Sequence, residues 1–117
     1  YAVTLIEWAK KYREGSDDER AEIRETFAKD PVLSRSLLPF PPKSQDELRD
    51  HVTLFVIADQ GLDTRDAILA IDALCNDART RGLDVDAVLR EHLPLASDED
   101  KYGWGTTRAL LERNLRQ

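Results

Sequence analysis

Hydrophobic residues recur along the chain at intervals of three and four positions, in short runs separated by glycine, proline or acidic residues. This spacing is typical of amphipathic helices, whose apolar side chains share one face. The most regular run extends from about Arg65 to Arg81 and predicts the central core helix. Its apolar stripe consists of Ile68, Ile71, Leu74, Cys75 and Ala78. The pattern predicts an all-α, single-domain bundle of five or six short helices over residues 1–117.

Capping residues mark several helix boundaries. The segments Thr4–Glu7, Ser16–Glu19 and Ser44–Glu47 fit a capping box, in which a hydroxyl and a glutamate carboxylate each accept a backbone N–H. We therefore expect the first helix to begin near Leu5, and the other two boxes to open helices as well. Pro39–Pro42 contains three prolines, which cannot continue a helix and predict an extended connector.

The tripeptide Gly-Leu-Asp occurs twice, at residues 61–63 and 82–84. Glycine adopts the left-handed conformation that ends many helices, the following leucine packs back on the last turn, and aspartate caps the next helix. We expect both copies to connect helices with this geometry. The second copy leads into a short helix that ends near His92, and Thr106 or Thr107 caps the last helix.

Composition places the chain among small helical domains that need no covalent support. It has 117 residues, 41% of them hydrophobic, which is enough for one core without metal or disulfide. Cys75 is the single cysteine, so no internal disulfide forms. The sequence shows no signal-like stretch and no apolar run near 18 residues, and we expect a cytoplasmic protein, of bacterial type, with no membrane association.

The net charge of −6 is unevenly distributed. Residues 63–100 hold 10 acidic and 4 basic groups, whereas residues 101–117 hold 1 acidic and 4 basic groups. An acidic body repels phosphate, which argues against general nucleic-acid binding. Two explanations of the basic tail remain open: it folds back on the acidic middle, or it forms a local basic strip that contacts phosphate. We also expect the acidic middle to steer the association with a partner.

The chemistry-bearing residues form no recognisable catalytic or metal-binding motif. His51 and His92 lie on different predicted helices and have no second ligand at helical spacing. Asp98, Asp100 and Gly103 match three positions of a calcium loop, but its remaining carboxylate positions are not filled. We therefore expect no metal, no cofactor and no catalytic residue, and we expect Cys75 to be a buried, inert thiol.

The segment 100–112 stands out because two glycines flank Trp104 immediately before a helix-forming run. Tyr102 and Trp104 are expected either to plug the core or to anchor a partner, since aromatic residues serve both roles. A pocket between the central helix and this segment is a further hypothesis. It would combine Asp72, His92 and Arg108.

Three functional hypotheses follow. The first is a protein-interaction module that binds another protein, for example a basic one, as an adaptor or as an immunity or antitoxin protein that neutralises its target. The second is a small helical enzyme or ligand-binding domain with its pocket near residues 100–108. The third is a structural homodimer, whose apolar contacts would come from Leu37, Leu38 and Phe40.

Overall fold

The computed structural model describes residues 2–29, 41–99 and 106–115. These residues form α-helices and two 3₁₀ turns, and none of them forms a strand. The α-helices are α1 (Ala2–Glu14), α2 (Asp17–Lys29), α3 (Gln45–Ala58), α4 (Thr64–Thr80), α5 (Val85–His92) and α6 (Thr107–Arg113). The 3₁₀ turns are Asp59–Gly61 and Leu93–Leu95. The structure is therefore a small all-α bundle, as the hydrophobic spacing predicts.

The capping box at Ser16 is confirmed, and Ser44 caps its helix, although only half of its predicted box forms. Ser16 Oγ accepts the Glu19 N–H at 3.2 Å, and Glu19 Oε1 accepts the Ser16 N–H at the same distance. Ser44 Oγ accepts the Glu47 N–H at 3.2 Å, while the Glu47 carboxylate accepts the N–H of Lys43, one residue before the expected position. Aspartate and threonine side chains cap three further helices, at Asp63, Asp84 and Thr106.

The predicted start of the first helix is wrong. Helix α1 begins at Ala2, so Thr4 lies inside the helix and not at its N-cap. Nothing in the preceding residues interrupts a helix, because neither glycine nor proline occurs there. A Thr-x-x-Glu pattern therefore marks a helix start only where the residues before it cannot extend the helix.

The two Gly-Leu-Asp tripeptides have different geometries. Gly82 has a φ of +77°, its N–H bonds to the Arg79 carbonyl, and the Leu83 N–H bonds to the Ala78 carbonyl at 3.0 Å. This is the Schellman ending that the sequence predicts. Gly61 instead closes a 3₁₀ turn in which the Leu62 N–H bonds to the Asp59 carbonyl at 3.1 Å.

The most buried helix is α3, whereas the sequence pattern assigned the central role to Arg65–Arg81. Helices α1, α2, α4 and α5 all pack against α3, and every residue from His51 to Ala58 is buried. A helix that is hydrophobic on all sides is one surrounded by protein. Helix α4 instead keeps an outer face, where Leu69 is 58% exposed.

Candidate functional site

Several residues that the sequence singles out lie outside the described part of the chain. Tyr102 and Trp104 are among them, so their predicted role as core plug or interface anchor stays a prediction. The apolar residues proposed for a homodimer, Leu37, Leu38 and Phe40, also lie outside it. The structure places the other three pocket residues, Asp72, His92 and Arg108.

Asp72 and Arg108 both connect the tail to the middle of the chain. Asp72 Oδ2 lies 3.2 Å from Nη2 of Arg113, and its Oδ1 accepts a hydrogen bond from Asn114 at 3.0 Å. Arg108 pairs with Asp98 at 2.8 Å and donates to the Leu93 carbonyl at 3.0 Å. The described part of the tail, residues 106–115, therefore folds back on the acidic middle, as the first explanation of the charge asymmetry predicts.

His92 is fully buried within a polar network that joins α1, α3 and α5. Arg13 Nη1 donates to both Asp50 Oδ1 and Thr53 Oγ1, each at 2.9 Å. His92 Nε2 lies 2.6 Å from Thr53 Oγ1, and His92 Nδ1 lies 2.8 Å from the Val88 carbonyl. The hydrogen bonds of the three pocket candidates therefore go to separate partners. They do not join Asp72, His92 and Arg108 to one another.

The partners of His92 fix the proton on one ring nitrogen. The Val88 carbonyl can only accept, so Nδ1 carries a proton toward it. The Thr53 hydroxyl has a single proton, which it can donate either to Nε2 of the neutral ring or to the Arg49 carbonyl at 2.8 Å. Protonation of Nε2 would place a second cation next to the Arg13 guanidinium. Burial is the main reason why the pKa of His92 lies below 6.5. The positive charges of Arg13 and Arg49 lower this pKa further.

We expect the free energy of unfolding to fall as the pH falls below about 6.5. Burial lowers the pKa of His51 as well as that of His92, so the unfolded chain takes up protons that the folded state resists. Urea unfolding between pH 7 and pH 5 measures this effect. The variant with both His51→Gln and His92→Gln should show a shallower pH dependence, and an unchanged slope would rule the two histidines out as its cause.

Cys75 is confirmed as a buried residue, with no exposed surface. Burial raises the pKa of its thiol to about 11, so the reactive thiolate is scarce at neutral pH. Among the described residues, no three His, Cys, Asp or Glu side chains are grouped so that they could hold a metal ion. In the same part of the chain, no helix has both the length and the apolar character needed to cross a membrane.

A groove between α1 and α2 has an apolar floor. The half-buried Trp8 of α1 and the buried Ile23 of α2 form this floor, and the depression has a volume of about 180 Å³. The Phe27 ring packs edge-on against Trp8, with centroids 5.7 Å apart and an interplanar angle of 82°. Because Phe27 is itself buried, it holds the Trp8 ring in a fixed orientation.

The rim of the groove is mostly acidic. Glu19, Glu22 and Thr26 line one side from successive turns of α2, and Lys11 lines the other side from α1. The Lys11 ammonium lies 5.2 Å from the centroid of the Trp8 ring, within the range of a cation–π contact. The groove therefore combines an aromatic surface, an aliphatic surface and two exposed carboxylates.

Helix α2 carries several exposed acidic groups beside this groove. Asp17 pairs with Arg20 and Glu25 with Lys29, whereas Asp18, Glu19 and Glu22 are exposed along the same helix. In residues 63–100 some acidic groups pair within the protein and others, such as Asp66 and Asp77, are exposed. The ion pairs are Asp72 with Arg113, Asp86 with Arg79, Glu91 with Arg49, and Asp98 with Arg108. What distinguishes Glu19 and Glu22 is that they line the groove with the apolar floor.

A second cleft lies between α2 and residues 97–99. It has a volume of about 350 Å³, and Arg24, Glu25, Ser97 and Glu99 supply its polar lining. Arg24 also donates to the Tyr12 hydroxyl at 2.7 Å, and that hydroxyl donates to the Leu95 carbonyl. Glu25 already pairs with Lys29, which leaves Glu99 and Arg24 with opposite charges, so this cleft favours no particular charge on a ligand.

Comparisons of the chain with protein-family models, with curated proteins and with solved structures found no match. The functional inference therefore depends on the residues of this chain. Of these, Trp8, Glu19 and Glu22 form a surface that the sequence pattern did not single out, because Trp8 belongs to the apolar stripe of α1 and Glu19 to a capping box.

Proposed function

We propose that this chain is a protein-interaction module that binds a basic partner protein in the groove between α1 and α2. One observation carries the proposal: the apolar floor of Trp8 and Ile23 lies directly beside the exposed carboxylates of Glu19 and Glu22. Tryptophan is among the residue types most enriched at the energetic centres of protein interfaces. Acidic groups at the rim attract a basic partner and orient it during the encounter.

The exposed acidic groups beside the groove support α2 as the binding surface. Exposed charges of one sign that lie close together raise the local attraction for a partner of the opposite sign. Asp18, Glu19 and Glu22 are exposed on one helix, and the two glutamates line the groove together with the Trp8 ring. A cytoplasmic adaptor, or an immunity or antitoxin protein that neutralises a basic target, would use such a surface.

Reversal of one rim charge tests this function. We expect Glu22→Lys to weaken capture of the partner by about tenfold or more, because it places a cation where the partner carries cations. The helix should tolerate the change, since a lysine at this position would face Asp18 and Glu25 at helical spacing. Asp77→Lys is the matched control, with the same change in net charge at an exposed position of α4.

The partner is identified by mass spectrometry after capture from host lysate, and binding is then measured with the purified protein. The proposal requires a partner of net positive charge that Asp77→Lys retains and Glu22→Lys loses. Its association rate should fall as salt rises, because exposed charges are screened over about 10 Å at 0.1 M salt. The proposal would be contradicted if both variants lost partner binding equally. It would also be contradicted if the captured partner were neutral, acidic or a second copy of this chain.

A further inference from the structure

We propose that the groove holds a lysine side chain of the partner against the Trp8 ring, in the place that Lys11 takes in the free protein. This inference rests on the proposed function and names the group that the groove recognises. Lys11 would act as an internal occupant that the partner displaces. The groove would then select a side chain that has both an aliphatic stem and a terminal cation.

The contact of Lys11 shows that an ammonium fits this place. Its Nζ lies 5.2 Å from the Trp8 centroid, and tryptophan is the best aromatic partner for a cation. The edge-on contact with Phe27 fixes the ring, so the surface is already formed before a ligand arrives. Lys11 is exposed and has a long flexible stem, so it can leave the ring without disturbing the core.

The other walls match the rest of a lysine side chain. Trp8 and Ile23 offer apolar surface to the four methylene groups, which lysine buries readily while its ammonium stays near water. Glu19 and Glu22 offer carboxylates to the ammonium. The capping box with Ser16, in which both hydrogen bonds are 3.2 Å long, holds Glu19 in place and reduces the entropy lost on binding.

The free protein provides the first test. The methylene protons of Lys11 next to the Trp8 ring should give NMR signals shifted upfield by the ring current, and those of Lys10 should not. The Lys11 signals should return to ordinary positions in Trp8→Leu, which keeps an apolar side chain in the groove. Lys11 signals at ordinary positions in the unmodified protein would overturn the internal-occupant model.

The second test uses N-acetyl-lysine N-methylamide as the probe, titrated while the signal of the Trp8 indole N–H is followed. Lys11→Gln should lower the dissociation constant by about two- to fivefold, the range that an exposed cation–π contact supplies. Lys10→Gln is the matched control, because it removes the same charge from the next exposed position of α1. Lys11→Met should behave as Lys11→Gln does.

Each outcome separates this inference from the proposed function. The inference is overturned if Lys10→Gln and Lys11→Gln change the dissociation constant of the lysine probe equally. It is also overturned if the norleucine analogue of the probe binds as tightly as the lysine probe, or if the arginine analogue binds more tightly. If the captured partner still loses binding in Glu22→Lys while the lysine probe fails, the proposed function stands and this inference falls. If the probe binds but partner capture ignores Glu22→Lys, the proposed function falls.

Discussion

Truncation of Phe27 to alanine is expected to lower the free energy of unfolding by about 3–5 kcal/mol. Phe27 is 1% exposed and lies in the core that α2 forms with its neighbours. Its removal would leave a cavity beneath the Trp8 ring, which now packs against the Phe27 edge. A loss of this size is a large part of the stability of an ordinary domain.

Chemical denaturation with urea measures this loss. Phe27→Leu is the matched control, because leucine fills most of the same volume and should cost less than about 1.5 kcal/mol. In the alanine variant the Trp8 indole signal should also shift, since the ring loses the contact that orients it. A loss below about 1 kcal/mol would show that Phe27 does not support the floor of the groove.

The second large effect is expected from Thr53→Val. Valine keeps the shape of threonine but removes the hydroxyl that contacts Arg13 and His92 at 2.9 and 2.6 Å. Each buried polar group left without its partner costs about 1–3 kcal/mol, so we expect a loss of about 2–4 kcal/mol. The change should also alter the pH dependence of stability, because His92 Nε2 loses its hydrogen-bond partner.

Thr80→Val is the control for this substitution. Thr80 is exposed on α4, and its hydroxyl donates along its own helix, to the Asn76 carbonyl at 2.9 Å. A surface substitution of this kind should change the free energy of unfolding by no more than about 0.5 kcal/mol. If both valine variants lose the same small amount, the network between α1, α3 and α5 does not stabilise the fold.

Local signals in the sequence predict the helices well because caps involve residues within five positions of one another. The box at Ser16, the cap at Ser44 and the Schellman ending at Gly82 all depend on such short-range bonds. The position of α3 at the centre depends instead on packing between distant helices. Its branched residues are typical of strands, and only the surrounding helices explain why they occur in the buried second half of a helix.

The groove could not be predicted from spacing alone. Glu19, Glu22, Ile23 and Thr26 share one face of α2, but this face has mixed polarity and resembles an ordinary partly solvated surface. Trp8 belongs to the apolar stripe of α1, which predicts burial and not a floor open to solvent. The site depends on how α1 and α2 pack against each other, and the spacing of residues does not predict that packing.

The most direct test of the binding surface is site-specific photo-crosslinking in host cells. A photoreactive phenylalanine is introduced at Thr26, which lines the groove, and in a second strain at Asp77, which is exposed on α4. The proposed function predicts that position 26 crosslinks to a lysine-containing segment of a basic protein and that position 77 does not. Comparable crosslinking from position 77, or crosslinking from position 26 to an acidic segment, would contradict it.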